Sequence, residues 1–380
     1  MSLEAIQAPA IMTPSGLVHG QAVLVAAGRV QGLCAASAVP AGALVHAWPE
    51  GVLLPGLIDV QVNGGGGVLF NDQPSIAGIE AIAAAHRHYG TTALLPTLIS
   101  SDRATMAAAI QAVDAAIAQA VPGVLGIHLE GPFLAPAKAG IHDAGHFAQL
   151  DQDGIDLLCS LKRGKTLVTL APEQASPEAI RALAAAGVII ALGHSNASYE
   201  QAMAAIEAGA SGVTHLYNAM SGLGSRAPGL VGAALDSDVW AGVIADGIHV
   251  HPAALKLAVR AKGARRVMLV TDAMPSVGAA ANQFRLNGET ITLRDGRLTN
   301  DAGVLAGSHL NMAQALDFAA DQLGLGLEAA VTMASAAPAS FLGLDGELGA
   351  IRPGARANLL LLDGAGQPRQ CWIDGIAFPH

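Results

Sequence analysis

From about residue 57, short apolar runs alternate with Ala-rich stretches, and the runs count to eight. The runs read as strands over 57–62, 92–98, 124–130, 166–171, 188–193, 212–216, 240–245 and 267–272. Most lack a clean polar–apolar alternation, as expected of strands covered on both faces. The stretches 76–89, 102–119, 177–186, 199–208 and 252–262 read as helices. Eight βα units predict a closed TIM-like (β/α)₈ barrel. An open doubly wound sheet is the alternative. No G-x-G-x-x-G follows the first strand to support it, and Gly64-Gly65-Gly66-Gly67 reads as a flexible loop.

The two ends of the chain differ from the middle. Residues 1–54 hold short alternating strands, such as Gln21-Ala22-Val23-Leu24-Val25. The tail offers Leu359-Leu360-Leu361-Leu362 and Gln370-Cys371-Trp372-Ile373. Residues 1–54 and 344–380 together predict a small β-sandwich domain beside an α/β barrel over 55–343. Residues 282–300, with Gly288 and Gly296 at turns, read as a β insertion after the eighth strand.

Four of the runs stop at residues able to hold a metal or move a proton: Glu130, His194, His215 and Asp272. Residues just past barrel strand ends share one face, where sites form. One carboxylate and two imidazoles suit a divalent metal with a position open for water. A separate Asp beside that water completes a hydrolytic set. Each residue alone could simply cap a helix; four at equivalent positions argue for a site. His128 faces the same way as Glu130. It reads as a barrel-interior residue beneath the metal group, with a ligand role as the alternative.

Composition narrows the function. The 380 residues are 52% hydrophobic and 13% charged, enough for a large core. A net charge of −10 argues against nucleic acid or an anionic membrane as partner. Cys34, Cys159 and Cys371 form no CxxC pattern. With no leader-like pattern in Met1-Ser2-Leu3-Glu4-Ala5, they suggest a reduced, cytoplasmic protein. No apolar stretch reaches the ~18–20 residues of a membrane helix.

Pro55-Gly56-Leu57-Ile58-Asp59-Val60-Gln61-Val62-Asn63-Gly64 resembles the strand-one signature of the amidohydrolase superfamily. His128-Leu129-Glu130-Gly131-Pro132-Phe133, Gly193-His194-Ser195, Thr214-His215-Leu216-Tyr217-Asn218-Ala219-Met220 and Val270-Thr271-Asp272-Ala273-Met274 narrow the resemblance to the N-acetylglucosamine-6-phosphate deacetylase family. Leu305-Ala306-Gly307-Ser308 and Gly349-Ala350-Ile351-Arg352-Pro353-Gly354 fit it as well. Where many superfamily members carry His-x-His, this chain has Gln61 and Asn63. Amides replace imidazoles there, so one divalent metal per chain is expected. Zn²⁺ is the first choice, while Fe²⁺, Co²⁺ and Mn²⁺ can use the same donors.

The resemblance implies an amino-sugar phosphate as substrate and loss of its acetyl group. It implies Asp272 as the proton-transfer group and His142 as the partner of the oxyanion. Asn218, Ala219, Arg226 and His249 would bind the substrate's phosphate, with Gln61 and Asn63 lining the substrate site. It also implies a homodimer whose second subunit completes the phosphate site. The galacto epimer, another superfamily activity or a non-catalytic scaffold are the competing readings.

Overall fold

The structure is a computed structural model that describes residues 3–379. Met1, Ser2 and His380, the outermost positions of the expected end domain, lie outside the described residues. So does part of the N-terminal stretch read for a leader.

Among the described residues, eight parallel strands form one sheet in sequence order. They are β1 (Leu57–Val62), β2 (Thr91–Ile99), β3 (Gly126–Glu130), β4 (Lys165–Leu170), β5 (Ile189–Leu192), β6 (Gly212–Val213), β7 (Trp240–Ile244) and β8 (Val267–Val270). The sheet curls into a TIM-like barrel. Its closure between β8 and β1 is made just past the strand: Val62 bridges Ala273, and the Asp272 N–H donates to Gln61 O over 3.0 Å. Beside this seam the buried Asp59 carboxylate accepts the Thr271 hydroxyl over 2.5 Å and the Gln61 N–H over 3.1 Å.

Seven helices follow the first seven strands: α1 (Ile76–Arg87), α2 (Arg103–Ala118), α3 (Gln152–Leu158), α4 (Pro177–Ala185), α5 (Tyr199–Glu207), α6 (Gly229–Asp236) and α7 (Pro252–Lys262). Ser75, Asp102, Asp151, Ser176 and Ser198 each cap a helix by accepting a backbone N–H of its first turn. The sequence pattern misses α3 and α6. Gly154 interrupts the first, and Gly229 and Gly232 the second, which lowers helix propensity where tertiary packing still enforces the helix. It also misses the helical region from Met312 to Phe341, which completes the ring after β8. Gly64–Gly65 is not a free loop: it pairs antiparallel with Val68–Leu69. Strand six ends at Val213 rather than 216, because the chain leaves extended backbone at His215, where φ is +31°.

Strands from both chain ends build two sheets beside the barrel. One orders residues 29–35, 21–26, 4–7 and 44–47; the other orders 376–379, 368–373, 359–362, 52–55, 10–13 and 16–19. They share a core of Ile6, Val23, Leu53, Leu359, Leu361 and Trp372. A separate antiparallel sheet of Gln283–Leu286, Glu289–Arg294 and Arg297–Thr299 follows β8. Among the described residues, no helix is long and apolar enough to cross a membrane.

Candidate metal centre and active site

The barrel brings the four strand-end residues into one cavity of about 170 Å³. Glu130 is the last residue of β3. His194, His215 and Asp272 each sit two residues beyond β5, β6 and β8. All three have left-handed backbone, with φ of +46°, +31° and +52°. Such backbone is strained for residues with a Cβ and is held only where the surroundings dictate it. A common offset and a common twist turn three side chains from three strands towards one point. Gly131, with φ of +88°, gives the close approach after Glu130, since a Cβ there would meet Ser100 Oγ at 2.3 Å.

His194 Nε2, His215 Nε2 and Glu130 Oε1 form a triangle with edges of 3.0, 3.0 and 3.2 Å. All three side chains are buried, and among the described residues theirs is the group of acidic, His or Cys side chains placed to hold a metal. Ligands at ~2.0–2.1 Å in a tetrahedral shell stand about 3.3 Å apart, so the triangle fits one small divalent ion. The Nδ1–H of His194 donates to Lys138 O over 2.8 Å, which leaves its Nε2 lone pair facing the other two ligands. Burial alone would raise the Glu130 carboxyl; the two imidazoles outweigh it and hold its pKa well below the usual range.

Gln61, in β1, and Asn63, one residue past it, direct their amides at Glu130 and Asp272. Gln61 Nε2 donates to both Glu130 oxygens at 3.2 Å and to Asp272 Oδ1 at 3.1 Å. Asn63 Nδ2 donates to Asp272 Oδ1 over 2.7 Å. Asn63 lines the cavity, and its Oδ1 is buried without a hydrogen-bond partner. Burial and the negative charge of Glu130 push Asp272 up to about 6, against the pull of His215 and Asn63. A carboxylate in that range accepts a proton near neutrality and releases it again.

His142 is buried, with its ring centroid 4.3 Å from that of His194. Its Nδ1 accepts the Ser100 N–H over 3.3 Å, and the Ser100 hydroxyl lies 2.9 Å from the same nitrogen. Burial and the neighbouring His194 push its pKa down to about 3. His142 is therefore neutral and carries its proton on Nε2, a donor rather than a base.

Asn218, Ala219 and His249 line the same cavity. Asp246 fixes His249, its Oδ2 2.6 Å from Nδ1, and leaves a buried Nε2 with no hydrogen-bond partner. Arg226 does not join them. It lies exposed in the loop between His215 and α6 and is absent from the cavity wall. His128 lies inside the barrel, with Nε2 2.7 Å from Thr169 Oγ1, and outside the metal group. Burial pushes its pKa down to about 4.

The sequence pattern did not single out Ser100, the Lys138 carbonyl or Asp246, which orient His142, His194 and His249. Ser100 had a readable signal, since it too follows a strand end.

The sequence profile of the amidohydrolase family matches residues 52–378. The chain belongs to the amidohydrolase family. It is 46% identical over 327 residues to an N-acetylgalactosamine-6-phosphate deacetylase of Shewanella sp., covering 86% of this chain and 83% of that one. It is 35% identical over 310 residues to an N-acetylglucosamine-6-phosphate deacetylase of Haemophilus influenzae, covering 81% of each. The solved N-acetylglucosamine-6-phosphate deacetylase of Pasteurella multocida superposes over 100% of both chains with a TM-score of 0.96 at 33% identity. A mutant deacetylase of Mycobacterium smegmatis, solved with N-acetyl-D-glucosamine-6-phosphate, matches over 99% of each chain with a TM-score of 0.90 at 29% identity. The family resemblance drawn from the strand-end motifs and the barrel architecture both hold.

Proposed function

We propose that this amidohydrolase removes the acetyl group from N-acetylglucosamine 6-phosphate, releasing acetate and the free amino sugar phosphate. The reading rests on one arrangement: a metal-ready Glu130/His194/His215 triangle, Asp272 and the neutral His142 face one cavity. The similarity to deacetylases over most of the chain supports the same chemistry. The galacto epimer is the second reading, favoured by the 46% identity to the Shewanella enzyme.

A divalent metal on Glu130, His194 and His215, with Zn²⁺ the first choice, would supply Lewis acidity to a water and to the amide carbonyl. Asp272 accepts the proton of the attacking water. It is held by Asn63 and Gln61, so the oxygen that accepts the proton stays aimed at the reacting carbon. His142 donates its Nε2–H to the carbonyl oxygen as that oxygen gains charge. The C–N bond then breaks, and Asp272 returns the proton to the departing nitrogen. Asn63 Oδ1 is an acceptor for a substrate N–H or hydroxyl.

The phosphate end falls to Asn218, Ala219 and His249, with Arg226 contributed from a second copy. The exposed position of Arg226 supports this homodimer. So does Leu223, 62% exposed three residues earlier in the same loop, an apolar side chain suited to an interface. In the same reading, residues 55–343 carry the chemistry, 1–54 and 344–380 brace it, and the enzyme works in the cytosol.

One assay tests the function: release of acetate from N-acetylglucosamine 6-phosphate, its galacto epimer and the unphosphorylated sugar, side by side. Turnover of a phosphorylated sugar, with weak turnover of the bare sugar, is expected. No acetate from either phosphorylated epimer, with metal bound, would overturn it.

A further inference from the structure

The cavity is chemically two-sided. Its polar donors, Asn218, Ala219 and His249, come from the segments after β6 and β7. Strands two and three stand opposite strands six and seven in an eight-stranded ring. From that opposite side come Ile99, at the end of β2, and Ile141, in the segment after β3; Met274, after β8, joins them. On the donor side, Ile244 is the apolar exception.

These three apolar residues flank the groups that surround the scissile carbon. Ile99 precedes Ser100, which holds His142. Ile141 precedes His142 itself. Met274 lies two residues past Asp272. An acyl chain begins one C–C bond, about 1.5 Å, from the carbon that is attacked. Whatever the sugar does, its acyl group must lie among the neighbours of His142 and Asp272.

The apolar side is also closed from behind. Leu286, Ile291 and Leu298 of the inserted sheet are buried in one cluster with Ile99 and Met274, and Ile141 packs against it. At the tip of that sheet, Asn287 Nδ2 donates to Ile141 O over 2.8 Å. Asn287 has φ of +51° in the turn before Gly288, the conformation an Asn-Gly hairpin turn uses. The insertion therefore grips the segment that carries His142 and packs behind Ile99, Ile141 and Met274.

We propose that Ile99, Ile141 and Met274 form an acyl-binding pocket whose back wall is the inserted sheet 283–299, and that this wall limits the substrate to acetyl-sized groups. The inference rests on the deacetylase reading. A packed apolar wall discriminates against one added methylene by ~10- to 200-fold.

The test compares N-acetyl, N-propionyl and N-butyryl sugar 6-phosphates through kcat/KM for carboxylate release. The native enzyme should lose at least ~10-fold from acetyl to propionyl, and more to butyryl. Met274→Ala should raise the butyryl-to-acetyl ratio by ~10-fold or more. Ile141→Ala should do the same; the residue is half-buried in a loop, so its loss leaves the core intact. Asn287→Gly, which suits the positive φ and removes only the grip on Ile141, should raise the ratio by a smaller factor. Equal rates on butyryl and acetyl by the native enzyme would overturn the pocket. So would an unchanged ratio in Ile141→Ala and Met274→Ala proteins that melt cooperatively and retain metal. Failure of the native enzyme to release acetate at all is a different result, and it overturns the deacetylase reading on which the pocket depends.

Discussion

Asn63 and Asp272 are joined by a 2.7 Å hydrogen bond from the amide Nδ2 to Oδ1, across the seam where the barrel closes. The bond fixes one carboxylate oxygen as an acceptor and leaves the other to handle a proton. Asp272→Asn retains the shape and loses that capacity. Its kcat should fall by at least ~10²-fold, the low end for general acid–base catalysis, while metal content stays unchanged. Near-native turnover with metal in place would assign proton transfer to another group.

One metal ion per chain should be found by elemental analysis, because the amides of Gln61 and Asn63 replace the imidazoles of a second site. His194→Ala and His215→Ala should each empty the site. A chelator should abolish activity, restored by one equivalent of Zn²⁺, and should lower the melting temperature because the ion binds only the folded triangle. A reproducible ratio of two would contradict the single-ion centre.

Arg226 should matter for the phosphate and nothing else. A charge-assisted hydrogen bond contributes about 1.5–3 kcal/mol, so Arg226→Ala should lower kcat/KM by roughly 10- to 150-fold on the phosphorylated sugar. The unphosphorylated sugar should barely respond. Mixing Arg226→Ala with His215→Ala subunits should restore activity as they exchange, since a working metal site then meets a partner's arginine. Confirmed exchange without recovery would place the arginine in its own chain's site.

Asp59 gives the fold a pH signature. Burial pushes its pKa up from 3.8 to about 7, against the hydrogen bonds it accepts from Thr271 and the Gln61 backbone. The folded chain thus binds this proton more tightly than the unfolded chain. The contribution is fully present below the unfolded pKa and is lost as pH rises through about 7. Asp59→Asn mimics the protonated form: its oxygen can accept the two N–H groups and its amide can donate to the Thr271 hydroxyl. Relative to the native protein, the variant should therefore gain in melting temperature between pH 5 and pH 8. Parallel curves over that interval would show that the seam holds no titrating proton.

The grouping of the candidate site was legible because a barrel converts a sequence rule, the polar residue after an apolar run, into a spatial one. Glu130, His194, His215 and Asp272 each obey it. The supports were not legible, for identifiable reasons. The partner of His194 is the Lys138 carbonyl, a group every residue has. Ser100 meets His142 across 42 residues, and no local pattern encodes that pairing. Strand six is only Gly212–Val213, because a residue that must turn its imidazole inward cannot also continue the ladder. Arg226 is exposed and absent from the cavity wall, so only its place in the family-like loop pointed to it.

The six-stranded sheet at the chain ends cannot be completed until the barrel between its strands has been synthesised. Val52–Pro55 pairs on one side with Ala10–Thr13, but on the other with Leu359–Leu362. While a ribosome is still making the barrel, that second edge has no partner, and it offers a bare row of N–H and C=O groups to any passing strand. This sheet is completed last, after some three hundred residues of barrel have emerged. The nascent chain is thus open to misassembly at the segment that leads directly into β1.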